Sequence, residues 1–353
     1  MVNNSELKDI NIADIQALPT PSEYEQLIPL SENQRSLIST GRKAIVDIIS
    51  GHDNRLMIVV GPCSIHDIKA GREYASKLKT LSDQISSRIL ILMRVYFEKP
   101  RTTIGWKGMI YDPHLNGSLD IKEGLSRARQ FLSDVSDIGL LCATEFVDPI
   151  TPQYIADFIS WAAIGARTAE SQTHRQMASG LSMPVGMKNG TGGSIQLAAD
   201  AIVAANAKHG FLGVNDKGNA SIVVTTGNPN AHLILRGGSN GPNYDAESVE
   251  NAITILNKSN VVSKLVIDCS HANSKKQFDL QPAVFQDVVT QRTAGNQNIV
   301  GAMLESHLKS GNQTLHESNP DSLTYGISIT DACLGWKDTE KTLLEAYDKL
   351  TET

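Results

Sequence analysis

The pattern of apolar and polar residues along this chain alternates between two periods. Short, β-branched apolar runs are typical of buried parallel strands, whereas longer segments with apolar residues every three or four positions are typical of crossover helices. The runs predict eight strands, at residues 56–61, 89–95, 140–145, 161–166, 183–188, 232–236, 264–269 and 299–305. Eight parallel strands joined by helices predict an α/β fold, the (β/α)₈ or TIM barrel.

The segments between these strands carry the helical stripes that such a barrel requires. Ala70, Tyr74, Leu78, Leu81 and Ile85 recur at helical intervals, so this face should pack on the barrel. Similar stripes occupy residues 125–135, 195–205, 249–256, 284–289 and 343–350. Because the last stripe follows the eighth strand, it completes an outer ring of helices.

Two segments exceed the minimal barrel. Residues 1–35 form an amino-terminal extension, which precedes an apolar-faced helix that Gly51 should cap. Residues 211–226 contain two alternating runs around a turn at 215–218, which predicts an inserted β-hairpin. We therefore expect an extension and one barrel domain spanning residues 36–353.

Composition narrows the classes of partner. A chain of 353 residues suits one barrel with additions, and its net charge of −6 gives no general attraction to nucleic acid or to an anionic membrane. Its four widely spaced cysteines, Cys63, Cys142, Cys269 and Cys333, suit reduced thiols better than a disulfide framework. No signal peptide or long apolar span is apparent, so we expect a cytoplasmic protein.

Basic residues follow several predicted strands, where barrel enzymes place their catalytic groups. They are Arg94, Lys99, Arg167, Lys188 and Arg236. A buried ring of such cations requires anionic partners, because an unpaired buried charge is costly. Either each cation lies on the surface or pairs with a local carboxylate, or the ring binds a small substrate that carries phosphate and carboxylate groups.

A second group could hold a metal ion. Cys63, His271, Glu305 and Asp331 combine thiolate, imidazole and carboxylate ligands, which suit divalent Mn, Fe, Co or Zn. Taken singly, a cysteine is usually a small core residue and a histidine is usually structural, and no compact metal motif is present. The glycine-rich segment 186–193 lacks the spacing of a nucleotide-binding loop, so we interpret it as a turn beside the fifth strand.

Several long motifs resemble one enzyme family. They are GPCSIHD at 61–67, YFEKPRTTIGW at 96–106, AIGARTAES at 163–171, ASGLSMPVG at 178–186, LRGG at 235–238, SHAN at 270–273, ESH at 305–307 and SITDA at 328–332. In these segments the chain resembles the microbial type I 3-deoxy-D-arabino-heptulosonate 7-phosphate (DAHP) synthases, in the amino-acid-inhibited branch with an amino-terminal extension. These enzymes join phosphoenolpyruvate to erythrose 4-phosphate at the start of the shikimate pathway.

The resemblance assigns roles to the residues named above. It implies one divalent metal ion per subunit, bound by Cys63, His271, Glu305 and Asp331. It implies a phosphoenolpyruvate site at Arg94, Lys99, Glu145, Arg167, Lys188 and Arg236, and an aldose phosphate site at Arg101 and Thr102. The candidates for proton transfer are Lys99, Glu145 and His271.

The resemblance also implies feedback inhibition in a homodimer or homotetramer. The residues that align with the family's inhibitor pocket are Asp9, Ile12, Pro152, Gln153, Leu181, Ser182, Phe211 and Val223. The local amino-acid sequence of these motifs favours tyrosine over phenylalanine and tryptophan as the inhibitor. The chain departs from the family at Gly192, where relatives often carry aspartate, and at Met187, where phenylalanine is common.

Two alternatives remain at this point. One is a related synthase that makes 3-deoxy-octulosonate 8-phosphate from arabinose 5-phosphate, against which the Lys-Pro-Arg-Thr motif at 99–102 argues. The other is a non-catalytic barrel that senses amino acids, which would not need a complete ligand set.

Overall fold

The computed structural model describes residues 7–351 and contains a closed barrel of eight parallel strands, which confirms the predicted fold. The barrel strands are β1 (Leu56–Gly61), β2 (Ile89–Arg94), β3 (Leu141–Glu145), β4 (Ile159–Ile164), β5 (Val185–Lys188), β8 (Ala231–Leu235), β9 (Leu265–Asp268) and β10 (Ile299–Glu305). Around the barrel their order is β1-β10-β9-β8-β5-β4-β3-β2. Nearly every strand residue is buried, because side chains fill the interior and helices cover the outside.

Helices connect the strands and form the outer layer. They are α3 (Ile68–Ile85), α4 (Ile121–Asp137), α5 (Pro152–Ile155), α6 (Gln172–Gly180), α7 (Ile195–Asn206), α8 (Ala246–Lys258), α9 (Gln281–Thr293) and α10 (Trp336–Thr351). Their predicted apolar stripes are largely buried, as in α3, where Tyr74 and Leu78 are fully enclosed. Within residues 7–351, no helix is long and apolar enough to cross a membrane.

Strand β4 differs most from the predicted boundaries. It begins at Ile159 instead of residue 161, because a short 3₁₀ turn at Ala156–Phe158 leads directly into it. Ser160 interrupts the apolar run in the sequence, yet its side chain is fully buried in the strand. The strand ends before Gly165, whose carbonyl accepts a hydrogen bond from Thr168 N in the following turn.

The extension leads into a helix that closes the amino-terminal end of the barrel. After α1 (Pro21–Leu27), α2 (Glu32–Ser50) places Ile45 and Ile48 in the same packed cluster as Met57 and Trp161 inside the barrel. Gly51 ends α2 in the left-handed conformation, as predicted. Because α2 begins at Glu32, the expected boundary at residue 35 falls inside this helix, and residues 1–6 of the extension lie outside the described residues.

The inserted hairpin is present and leaves one apolar face uncovered. Strands β6 (Gly210–Val214) and β7 (Ala220–Val224) pair antiparallel, with Phe211 opposite Val223. The main chain of Asp216 at its turn accepts a hydrogen bond from Ser22 N in α1. The other face exposes Leu212, Ile222 and Val224, at 89%, 79% and 62% of their surface.

Candidate active site

The carboxyl ends of the barrel strands bring the polar residues of the sequence motifs to one end of the barrel, which we call the barrel mouth. This follows from the parallel topology, since all eight strands end at the same rim. Strands β2, β3, β5, β9 and β10 end in or at Arg94, Glu145, Lys188, Asp268 and Glu305. The turns after β1, β4, β8 and β9 carry Cys63, Arg167, Arg236 and His271.

Three of the four expected metal ligands lie together. One ligand atom each from Cys63, Glu305 and Asp331 lies within 4.8 Å of the other two. Cys63 and Glu305 are buried, whereas Asp331 is exposed. A thiolate and two carboxylates in this arrangement fit a divalent transition metal.

His271, the fourth expected ligand, is not part of this group of three. Its Nδ1 lies 3.0 Å from Asp268 Oδ2 and 2.7 Å from Ser270 Oγ. Its main chain is in the left-handed region, with φ at 55°. The imidazole is therefore fixed through Nδ1, which leaves Nε2 as the atom available to a ligand.

Two cations lie against these anionic groups. Lys99 Nζ is 3.1 Å from both the sulfur and the carbonyl oxygen of Cys63, and Arg94 Nη2 is 2.9 Å from Glu305 Oε1. Burial and the Glu305 charge raise the pKa of Cys63, although Lys99 and Arg94 oppose the shift. Partial loss of water around the Asp331 carboxylate would by itself raise its pKa. The charges of Lys99, His271 and Arg94 outweigh this effect and lower the pKa of Asp331.

The five cations differ in burial, so the expectation of a wholly buried ring is wrong. Arg94 and Lys188 are buried, Lys99 and Arg236 are half-buried, and Arg167 is exposed. Arg167 lies in the turn after β4, outside the packed barrel, and therefore keeps contact with water. Burial, together with the nearby Arg167 charge, lowers the pKa of Arg236.

Arg167 reaches across the rim to the segment of the expected aldose phosphate site. Its Nε donates to Thr102 Oγ1 at 3.1 Å, and its Nη1 donates to the Pro100 carbonyl at 3.3 Å. Arg101 is exposed, and its Nε donates to the Trp106 carbonyl at 2.8 Å. Cations from two different loops therefore meet at one side of the barrel mouth.

Asp268 is a functional candidate to which the sequence analysis assigned no role. Its fully buried carboxylate lies 3.1 Å from Lys188 Nζ and 3.0 Å from His271 Nδ1. Lys188 Nζ also lies 3.7 Å from Glu145 Oε2. Burial opposes ionisation of Asp268, but His271 and Lys188 hold its pKa well below the usual range. Its position at the end of β9, beside His271, was the available signal.

Glu98 is a second residue that the sequence left without a role. Its buried carboxylate accepts hydrogen bonds from Tyr111 Oη (2.9 Å), Asp148 N (3.0 Å), Val147 N (3.2 Å) and Thr151 Oγ1 (3.2 Å). Burial raises its pKa to about 7, although the bonds from Asp148, Val147 and Tyr111 oppose the shift. Glu98 thus ties the loop that carries Lys99 to the segment after β3.

The residues expected to bind an inhibitor come from four separate segments. Asp9, Ile12, Gln153 and Ser182 are exposed, Leu181, Phe211 and Val223 are half-buried, and Pro152 is buried. Asn228 Nδ2 donates to the Leu181 carbonyl at 3.2 Å, and Ser179 Oγ lies 2.8 Å from Thr225 Oγ1, so the end of α6 packs against the base of the hairpin. Among residues 7–351, no hydrogen bond joins Asp9 or Ile12 to the other six.

Comparison with known proteins identifies the family. A family model described as the DAHP synthetase I family matches residues 27–344. The Phe-sensitive phospho-2-dehydro-3-deoxyheptonate aldolase of Escherichia coli K12 is 51% identical over 340 residues, which cover 96% of each chain. The Tyr-sensitive enzyme of the same strain is 48% identical over 344 residues, which cover 98% of this chain and 96% of the relative.

Three-dimensional comparison agrees. The solved structure of phospho-2-dehydro-3-deoxyheptonate aldolase from Francisella tularensis SCHU S4 matches with a TM-score of 0.94 at 48% identity, and the match covers 97% of this chain and 99% of that chain. The fold therefore agrees with this solved structure along nearly the whole chain. The chain belongs to the DAHP synthetase I family.

Proposed function

We propose that this protein is a DAHP synthase, which condenses phosphoenolpyruvate, erythrose 4-phosphate and water to DAHP and inorganic phosphate. The observation that carries the proposal is the group formed by Cys63, Glu305 and Asp331, with Lys99 and Arg94 against it. The names of the relatives support the same reaction. This reaction is the first step of the shikimate pathway to the aromatic amino acids.

The cations of the barrel mouth bind the two substrates in this proposal. Arg94 and Lys188 bind the carboxylate of phosphoenolpyruvate, and Arg167 and Arg236 bind its phosphate. Guanidinium groups suit both anions because they donate two parallel hydrogen bonds. Arg101 and Thr102, on the loop that Arg167 contacts, bind the phosphate of erythrose 4-phosphate.

A divalent ion (Mn²⁺, Fe²⁺, Co²⁺ or Zn²⁺) would be held by Cys63, Glu305, Asp331 and Nε2 of His271. The bond between His271 Nδ1 and Asp268 supports this choice of atom, because metal-binding histidines usually engage a carboxylate through the other nitrogen. When bound, the ion supplies a Lewis acid that polarises the aldehyde of the sugar phosphate.

The protein side chains position the reactants and move protons. Arg94, Arg167 and Arg236 hold phosphoenolpyruvate against the sugar, and such positioning lowers the barrier to attack by its carbon three on the aldehyde. Water then attacks carbon two, and phosphate leaves. In this proposal Glu145, whose Oε2 lies 3.7 Å from the Lys188 ammonium, accepts the proton of that water. Lys99 and His271 are the further candidates for proton transfer.

The direct test is phosphate release with phosphoenolpyruvate and each of two aldose phosphates. We expect turnover with erythrose 4-phosphate, loss of turnover after chelation, and recovery with Mn²⁺. Preference for arabinose 5-phosphate would instead identify a 3-deoxy-octulosonate 8-phosphate synthase. Binding of an aromatic amino acid without turnover on either sugar would identify a sensing barrel.

A matched pair of arginine variants tests the substrate site. Arg236→Ala should raise the KM for phosphoenolpyruvate at least about tenfold, because hydrogen bonds to charged groups contribute about 1.5–3 kcal/mol. Arg55→Ala is the control, since Arg55 is also half-buried but pairs with Asp53 just before β1, at the opposite end of the barrel. Equal KM values for both variants and the unchanged protein would contradict the assigned role of Arg236.

The proposal extends to regulation, assembly and compartment. We propose tyrosine as the inhibitor, a homodimer or homotetramer as the assembly and the cytoplasm as the compartment. Four free, buried cysteines support a reducing compartment.

The inhibitor is to be identified by assay, because the identities to the Phe-sensitive and Tyr-sensitive relatives are nearly equal, at 51% and 48%. Assays with tyrosine, phenylalanine and tryptophan in turn would decide, and stronger inhibition by either of the others would refute tyrosine.

A further inference from the structure

Tyr96 is a fully buried tyrosine beside Arg94 that the roles above leave unused. It follows Arg94 by two residues along an extended stretch, so the two side chains lie on the same side of the chain. Val95 N donates to the Ala143 carbonyl at 2.8 Å, and Ile65 N donates to the Tyr96 carbonyl at 2.9 Å. These bonds continue the barrel pairing past the end of β2 and direct Tyr96 into the barrel interior.

The ring of Tyr96 supports the guanidinium of Arg94. Arg94 Cζ lies 3.6 Å from the ring centroid, which is a close cation–π contact. Arg94 Nε donates to the Pro62 carbonyl at 3.1 Å, and Nη2 donates to Glu305 at 2.9 Å. Arg94 Nη1 is buried and has no hydrogen-bond partner in the described part of the chain. The guanidinium is therefore fixed in orientation while one of its nitrogens is left free.

The hydroxyl of Tyr96, like Arg94 Nη1, is a buried donor. It is buried and finds no hydrogen-bond partner anywhere between residues 7 and 351. The charges of Arg94, Glu145, Asp268 and Lys99 all act on it, so it lies among the groups of the barrel mouth. Burial raises the pKa of Tyr96, which keeps the hydroxyl protonated and able to donate. A buried hydroxyl without a partner destabilises the free protein, so a bound ligand that accepts a hydrogen bond from it would remove this cost.

We propose that Tyr96 is a substrate-binding residue whose hydroxyl donates a hydrogen bond to the carboxylate of phosphoenolpyruvate, beside Arg94 Nη1. The inference rests on the proposed function, because it takes phosphoenolpyruvate as the ligand held at Arg94. A carboxylate has two oxygens, and two neighbouring buried donors match it.

The test is Tyr96→Phe, which keeps the ring against Arg94 and removes the hydroxyl alone. We expect the Kd for phosphoenolpyruvate, measured by calorimetry without the sugar, to rise about tenfold, which corresponds to about 1.4 kcal/mol. The KM for phosphoenolpyruvate should rise in parallel, while kcat and the KM for erythrose 4-phosphate stay within about twofold. Tyr74→Phe is the control, because Tyr74 is equally buried but packs on Trp336 in the outer layer.

The Kd for inorganic phosphate supplies a second readout. If Tyr96 had a purely structural role, its substitution would weaken the binding of phosphate and of phosphoenolpyruvate alike. Phosphate binds through Arg167 and Arg236 in the proposed site, so Tyr96→Phe should leave its Kd unchanged. Equal weakening of phosphate and phosphoenolpyruvate, or no weakening of either, would overturn the role of Tyr96 while the synthase assignment stands. Failure of the unaltered protein to bind phosphoenolpyruvate at all would overturn both.

Discussion

At the scale of single residues, the barrel mouth keeps its charged groups close to opposite charges before any substrate binds. Lys188 lies between Asp268 and Glu145, and Lys99 lies against the sulfur of Cys63. An unpaired buried charge would cost several kcal/mol, so these contacts allow the protein to hold a dense set of charges in a closed interior. The donors that stay free, such as Arg94 Nη1, identify positions where a ligand is expected.

Cys63→Ala tests the metal ligand set at this scale. We expect at least about a thousandfold loss of kcat that added Mn²⁺ does not restore, because Lewis-acid stabilisation contributes several kcal/mol and each 1.36 kcal/mol is about tenfold in rate. Cys142→Ala is the control, since Cys142 is a buried cysteine in β3 outside the ligand group. Full turnover by Cys63→Ala, or by rigorously metal-free protein, would refute the metal-dependent mechanism.

Gly192, a departure from the family pattern, should accept the residue that relatives carry. A Cβ at Gly192 would meet no atom within 4 Å, and the residue is exposed. We therefore expect Gly192→Asp to change stability by no more than about 0.5 kcal/mol, as measured by denaturant unfolding. Gly238→Ala provides the contrast, because its Cβ would collide with the backbone of Gly193. A large loss of stability in Gly192→Asp would show that the glycine is required.

At the scale of elements, buried polar side chains join loops that are far apart in the sequence. Glu98 fastens the segment after β3 to the loop after β2, and Arg42 Nη2 on α2 donates to the carbonyls of Ala156 and Ile159 before and at the start of β4 (both 2.7 Å). Such bonds satisfy backbone groups that no strand or helix pairs. The hydrogen bonds of Glu98 also connect the loop that carries Lys99 to residues next to the expected inhibitor pocket.

The pH dependence of stability should report the Glu98 connection. The pKa of Glu98 is about 7 in the folded protein and 4.5 as the ordinary value. A carboxyl group with a raised folded pKa stabilises the fold below its unfolded pKa, and this contribution is lost as the pH rises through the folded pKa. Relative to Glu98→Gln, the stability of the unaltered protein should therefore fall between pH 4.5 and about 7, by up to about 3 kcal/mol.

The measurement is denaturant unfolding of both proteins across this pH range. Glu123→Gln serves as the control, because Glu123 is only half-buried on α4 and pairs with Arg127. A stability difference between Glu98→Gln and the unaltered protein that stays constant with pH would contradict the raised pKa.

At the scale of the whole molecule, the exposed apolar face of the hairpin is where we expect the proposed assembly to form. Leu212 on β6 and Ile222 and Val224 on β7 expose a group of large apolar side chains, and such patches mark association sites in proteins. Ile222→Asp should weaken the dimer or tetramer at least about a hundredfold, because burial of such a side chain contributes about 1.5–3 kcal/mol and a symmetric interface buries it twice.

Light scattering would check the mass of the assembly. If the inhibitor pocket spans two subunits, inhibition by tyrosine should weaken when the assembly weakens. Val203→Asp is the matched control, since Val203 is also exposed, at 47%, but lies on helix α7 and not on the hairpin. An unchanged mass for Ile222→Asp would contradict the assigned interface.

The barrel fold follows from the amino-acid sequence alone. The alternation of strand and helix periods specifies the fold because a segment with a given period buries its apolar residues only when it forms the matching strand or helix. The eight runs predicted all eight barrel strands, with errors of up to about two residues at their ends. The parallel topology then required Arg94, Glu145, Lys188 and Glu305 to end their strands at one rim, so their convergence was predictable.

Which of these groups are in contact depends on the packing of the folded chain. Contacts across the barrel depend on the stagger of the strands and on side-chain rotamers, which no local pattern encodes. For this reason Asp268 between Lys188 and His271, and the hydrogen bonds of Glu98, were not foreseen. Arg167 was expected to be buried and is exposed, because it lies in a turn beyond its strand. The periodicity of the chain fixes where residues lie along strands and helices, and packing in three dimensions fixes their partners.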